Sequence, residues 1–184
     1  MAKKQKDVPG KGNAPAPARL DLGCGPRKQP GFWGVDSIEF VGVDQVADLT
    51  GPWPWADDSI EEVFSSHFFE HLTNPQRVHA MNELHRVLKV KGKATIIVPD
   101  WSNACAYGDP THQWPPFSGW AALYWDKHWR MANAPHTGYT CDFEYMVATA
   151  FDERIMGYAD ERKQYMLTHN INSARDLHFH LVKR

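Results

Sequence analysis

The run Leu20-Asp21-Leu22-Gly23-Cys24-Gly25 constrains this chain more than any other stretch. Its apolar lead-in reads as a buried parallel strand of an α/β sheet, and two glycines with one residue between them leave the turn's backbone open to a ligand. Sheets of this kind bind ligands outside the carboxyl ends of their strands, so the turn marks the mouth of a site. Taken alone, it fits several nucleotide-like ligands or a plain structural turn. Lys28 stands where the third glycine of a G-x-G-x-x-G fingerprint would be.

The chain has 184 residues, enough for one well-buried core and too few for two ordinary domains. Its 42% hydrophobic and 23% charged residues are those of a soluble globular protein. No stretch approaches the roughly 20 apolar residues that a membrane span needs. Met1 to Ala18 carries Lys3, Lys4, Lys6 and Lys11 against Asp7, among Pro, Gly and Ala. That composition predicts a disordered basic tail over 1–18, able to hold a phosphate backbone loosely, ahead of a single domain over 19–184. The tail has no apolar centre like a secretory signal, and Cys24, Cys105 and Cys141 cannot all pair, so a reducing, cytoplasmic setting is expected.

Periodicity then gives a coarse map. Pro26 to Gly31 holds two prolines and a glycine, which allows a loop but no crossover helix. Phe32 to Asp36 reads as a second strand, Gln45 to Leu49 as a third and Glu62 to Ser66 as a fourth, followed by a short helical segment to Leu72. Asn74 as cap and Pro75 at the first position open a helix whose apolar positions, Val78 to Leu88, recur until Lys91-Gly92. Lys93 to Pro99 is a fifth strand. Between Trp101 and Trp129 stand five tryptophans with Tyr107, Phe117 and Tyr124, a lid-like aromatic region with one short helix. Asp142 to Ala150 reads as a strand, Glu153 to His169 mostly as a helix, and Leu177 to Val182 as a last strand that has a wetter face or lies at an edge, where it could pair with a second copy.

In this order, LDLGCG at 20 to 25, GFWGVD at 31 to 36, VADL at 46 to 49, PWADDSIEEVFSSHFFEHL from 54 to 72 and ELHRVLKVKGKATIIVP from 83 to 99 resemble the small, compact class I S-adenosylmethionine-dependent methyltransferases. The resemblance implies a Rossmann-like, mostly parallel seven-stranded sheet with a late antiparallel strand pair and the aromatic-rich lid. It implies S-adenosylmethionine as cofactor and S-adenosylhomocysteine as product. Gly23, Cys24 and Gly25 would approach the methionine part, with Asp21 near its ammonium group. Asp36 would hold the ribose hydroxyls, in preference to Asp44, because an early strand end leaves room for VADL. Asp48 and Leu49 would meet the adenine, and Ser66 would lie between cofactor and acceptor.

Methyl transfer from a sulfonium is an in-line displacement that asks the protein mainly for alignment and, with a protonated acceptor, removal of a proton. His112, after the fifth strand, is the first candidate for that, then His67 and His71. His67-Phe68-Phe69-Glu70-His71 also fits H-x-x-E-H, a zinc pattern, but in this family context Glu70-His71 reads as a packing pair and no metal is expected. The acceptor is a small planar molecule or a nucleobase, with nucleic acid possible through the basic tail; no membrane partner is expected and the oligomer is open. Ser65-Ser66-His67-Phe68 departs from the (D/N/S)-P-P-(Y/F/W) motif of amino-directed DNA methyltransferases. The other readings are a nicotinamide-dinucleotide oxidoreductase and a non-catalytic S-adenosylmethionine-binding module.

Overall fold

The computed structural model describes residues 17–184. All but the last two residues of the tail expected over 1–18 lie outside the described residues. By Ala18 the chain is already docked, its carbonyl accepting from the amides of Glu61 and Glu62.

Seven strands form one sheet: β1 (Arg19–Leu22), β2 (Trp33–Asp36), β3 (Gln45–Val46), β4 (Ile60–Ser66), β5 (Leu88–Pro99), β6 (Phe143–Phe151) and β7 (Ala174–Lys183), in the order β3-β2-β1-β4-β5-β7-β6. β1 to β5 pair in parallel, and β7 runs antiparallel between β5 and β6. The late strand pair is therefore as expected, but Leu177 to Val182 is not an edge. β7 is bonded on both sides, so the exposed edges are β3 and β6, and pairing of β7 with a second copy is ruled out.

Residues paired across the sheet share a face. One face carries Leu20, Leu22, Val35, Val63, Ala94, Ile96, Val98, Leu177, Phe179 and Leu181, all buried in one core. The opposite face carries Glu62, Lys93, Thr95, His178 and His180, all partly or fully exposed. The wetter face expected for β7 thus extends over neighbouring strands.

α1 (Asn74–Val87) covers the apolar face with Ala80, Met81, Leu84 and Val87. Its cap is Thr73 rather than Asn74: the Thr73 side chain and Gln76 bond each other's end of the first turn in a capping box, with Pro75 just inside. The helix also stops four residues before Lys91-Gly92. Leu88 is already extended and pairs with Ile60, and the chain turns at Lys91 (φ 63°) before the ladder resumes at Lys93. Apolar Val87 and Leu88 continue a helical pattern, and strand pairing overrides it. β3 is shorter than Gln45–Leu49 for a related reason: only β2 is beside it, and the ladder ends with Asp36 opposite Val46.

The aromatic region folds as three short helices rather than one, α2 (Cys105–Gly108), α3 (Ala121–Trp125) and α4 (Lys127–Asn133). Trp125 packs edge-on to Phe179 at 5.0 Å and Phe117 at 6.3 Å from the same ring, so part of this region is core. The helix expected over Glu153 to His169 divides into one 3-10 turn, Glu153–Ile155, and α5 (Asp160–His169), which buries none of its residues. No helix among the described residues is long and apolar enough to cross a membrane.

Because Trp125 is 1% exposed against a central strand, Trp125→Ala should lower stability by about 3–5 kcal/mol in denaturant unfolding. A loss under 1 kcal/mol would mean that α3 is a detachable cover.

Candidate functional site

The carboxyl ends of β1, β2 and β4 meet around the glycine turn. Ten residues, 23–32, join β1 to β2 without a helix, and the turn closes on its neighbour strand: the amides of Gly23 and Cys24 both donate to Val35 O, at 2.8 and 3.2 Å. Gly23 and Gly25 have positive φ (67° and 51°), which explains their glycines. A Cβ at Gly23 would also stand 2.6 Å from the Phe68 side chain, so the ring after β4 lies across the turn.

Two carboxylates hold this loop. Asp21, 2% exposed, accepts from the Gln29 amide at 2.7 Å, and burial pushes its pKa up to about 6. Asp36 Oδ2 accepts from Gly25 N and its Oδ1 from Ile38 N, both at 2.9 Å. Asp44 is spent elsewhere, bound to Lys28 Nζ at 2.6 Å and to Gly34 N at 2.8 Å. Asp48 folds back on the hydroxyl and amide of Thr50, which hold its carboxyl below the usual range.

Gly23, Asp36, Asp48 and Leu49 are thereby brought together as walls of one hollow of about 90 Å³, with Ser37, Ala47, Thr50 and Phe68. Asp21, Cys24, Gly25 and Ser66 are not among its lining residues. Asp21 is buried, Cys24 turns its sulfur toward Gly34, and burial pushes that thiol up to about 11, so a ligand here would meet only the Cys24 backbone. Ser66 ends β4 half-buried, while Ser65 donates to Leu22 O inside the core. Phe68, Ser37 and Thr50 went unnoticed in the sequence; the side-chain-free Gly23, which some neighbour had to use, was the available signal for Phe68.

His67 and His112 lie outside the hollow's lining, around Glu70. His67 has a positive φ of 56° after β4, its Nδ1 stands 3.2 Å from Glu70 Oε1, and that carboxylate raises the imidazole pKa. His112 stacks edge-on to His71 at 4.8 Å. The buried Arg77 of α1 ties the two segments, donating to the carbonyls of Glu70, Gln113 and Pro115, while its guanidinium lies 4.3 Å above the Phe117 ring. Sequence reasoning passed over Arg77 because one arginine on an amphipathic helix reads as solvent-facing.

The comparisons bear directly on this arrangement. Residues 28–96 match the model of a methyltransferase domain. A SAM-dependent methyltransferase from Archaeoglobus fulgidus superposes with a TM-score of 0.66 at 18% identity, over 90% of this chain and 85% of that one. The chain has the fold of the S-adenosylmethionine-dependent methyltransferases. Two further structures of this class are similar. A possible histamine N-methyltransferase from Thermotoga maritima has TM-score 0.54 and 14% identity, over 96% of this chain and 86% of that one. The geranyl diphosphate C-methyltransferase of Streptomyces coelicolor A3(2), solved with Mg²⁺, geranyl diphosphate and S-adenosyl-L-homocysteine, has 0.52 and 14%, over 92% and 73%. No curated protein sequence matches the chain.

In this methyltransferase fold the glycine turn is the tightest point of the site. Gly23→Ala should lower stability by about 1–3 kcal/mol, since a side chain there is both strained and in collision with Phe68. Unchanged thermal unfolding of that variant would contradict the close approach.

Proposed function

We propose that this methyltransferase moves a methyl group from S-adenosylmethionine to a small planar acceptor or a nucleobase, releasing S-adenosylhomocysteine. The observation that carries the reading is Asp21, a carboxylate buried at the end of β1 beside a turn without side chains. Lys28, the cation beside it, is engaged by Asp44. A buried acid in that state favours a ligand that brings a cation, and the ammonium of the methionine part is one.

The remaining residues fit the rest of such a cofactor. The backbone of Gly23, Cys24 and Gly25 runs beside Asp21, and a ligand lying on Gly23 needs the Phe68 ring turned outward. Each Asp36 oxygen accepts one amide, which leaves lone pairs for the two ribose hydroxyls. Asp44, turned to Lys28 and Gly34 and not among the residues lining the hollow, is the poorer choice. Asp48 and Leu49, on the same wall, suit an adenine's amino group and face, and Ser66 borders the way to the acceptor. The connection 23–32 has no helix whose N-terminus could hold a pyrophosphate, which speaks against a nicotinamide dinucleotide.

When bound, S-adenosylmethionine supplies an already activated methyl group, so the chain's tasks are binding, alignment and exclusion of water. Where the acceptor carries a proton, His112 is the residue to take it: its Nδ1 faces Ala106 O at 3.2 Å and must donate there, which leaves the Nε2 lone pair available. His67, donating to Glu70, positions that carboxylate. Trp101, Trp114 and Trp120 are more than half exposed and offer flat faces to a planar acceptor. Small molecules stand in the names of two similar structures, histamine and geranyl diphosphate. A nucleic-acid acceptor would rest on the basic tail, which lies outside the described residues.

Calorimetry with S-adenosylhomocysteine and with NAD tests the reading: the first should bind and the second should not. The sign of the pH dependence is also set. Asp21 must ionise to meet an ammonium, so affinity for S-adenosylhomocysteine should rise as pH climbs through about 6 and be roughly tenfold weaker at pH 5 than at pH 7. Asp36, Lys28 and Cys24 are the ionisable neighbours. Asp21→Asn should bind weakly with a flat profile. A steep profile in that variant would assign the titration to another group.

A further inference from the structure

Glu70, His71 and His112 each offer one ligand atom within 4.8 Å of the other two. The way their remaining atoms are used makes this more than proximity. Thr111 Oγ1 gives its hydrogen to Asp109 Oδ1 at 2.6 Å, so at 2.9 Å from His71 Nδ1 it must accept. His112 Nδ1 faces a backbone carbonyl and can only donate. Both imidazoles are therefore held in the tautomer that leaves Nε2 with its lone pair, the form in which histidine binds metals.

Glu70 is prepared in the same sense. It is 4% exposed; His67 donates to its Oε1, while the buried Oε2 has no hydrogen-bond partner. An unpartnered buried carboxylate oxygen is costly, and a cation removes the cost. The backbone makes the cluster stiff: Gln113 N donates to Glu70 O at 2.8 Å, and Arg77 Nη2 bonds the carbonyls of both residues.

The geometry points to a divalent transition-metal site built from Glu70, His71 and His112, with His67, Thr111 and Ala106 orienting the ligands. Two imidazoles and one carboxylate suit Zn²⁺ with an open position for water or an acceptor oxygen. Ligand atoms around zinc lie about 3.3 Å apart, so the three side chains close by about an ångström on binding. This set differs from the H-x-x-E-H pattern in the sequence: His67 orients rather than binds, and His112, 41 positions after His71, completes the site.

The site itself does not depend on the proposed reaction; only its use does. With an ion bound, His112 is a ligand and not a base, and the metal would instead acidify an acceptor hydroxyl held beside it. That consequence rests on the methyltransferase reading.

The test is calorimetric titration of zinc chloride into the full chain, purified without an affinity tag and stripped with a chelator. The wild type should bind one ion per chain. Glu70→Gln and His112→Ala should each weaken binding at least tenfold, His67→Gln by roughly ten- to hundredfold, and His136→Ala, an exposed control, should not matter. S-adenosylhomocysteine binding in chelator shows that each variant folds, and His67→Gln decides the matter if the other two do not. No zinc binding by the wild type, binding indifferent to all three variants, or binding lost only in Cys105→Ser would overturn the site. Zinc binding without S-adenosylhomocysteine binding would instead sink the proposed reaction and leave the site standing.

Discussion

The structure depends on the closure of the β1–β2 turn onto β2. Two consecutive amides, Gly23 and Cys24, share Val35 O, and Gly25 N meets Asp36 Oδ2. Ten residues thereby do what a crossover helix does in larger α/β proteins: they bring two parallel strands side by side. The cost is conformational, met by glycines at positive φ and by Gly34, where a Cβ would stand 2.6 Å from the Lys28 side chain. The benefit is a wall in which Asp36 stands close enough to Asp21 to raise its proton affinity.

One face of the sheet mixes polar side chains with the partly exposed Phe64 and Ile97, while the other is lined by buried apolar residues. α1, Trp53 and Trp55 cover one part of that face, with Arg86 of α1 donating to both tryptophan carbonyls and pairing with Glu83. Trp125 and Phe117 cover the part over β7. The aromatic region thus has two populations. Its buried rings complete the core, while Trp101, Trp114 and Trp120 reach solvent on the segment that also carries His112. Arg77 couples the populations, since its guanidinium holds the 113–115 backbone and lies over Phe117.

Strands were legible where alternation or an apolar run had one meaning. β1, β2, β4 and the antiparallel β6–β7 pair all follow the pattern, and the choice of Asp36 over Asp44 as the end of β2 agrees with the ladder. Boundaries were lost where pairing competes with local preference. Leu88 suits α1 as well as β5, and only Ile60 across the sheet decides for β5. The interior place of β7 was hidden because His178 and His180 look like edge residues, whereas they lie on the wetter face of an internal strand. Around the site, Asp36 was readable as the end of β2, whereas Asp48 and Leu49 reach the hollow from the loop after β3 rather than from the strand expected to carry them. The gathering of Glu70, His71 and His112 was not, because it depends on a contact between segments 40 residues apart that Arg77 and the Gln113–Glu70 hydrogen bond create.

The glycine turn, Asp21 and Asp36 are proposed to form one cofactor wall behind Phe68. A crystal structure of the protein with S-adenosylhomocysteine tests it most directly. The ammonium should lie on Asp21, both ribose hydroxyls on Asp36, and the Phe68 ring should have left the Gly23 turn. A ribose held by Asp44, or a ligand bound away from β1 with Phe68 still across Gly23, would contradict it.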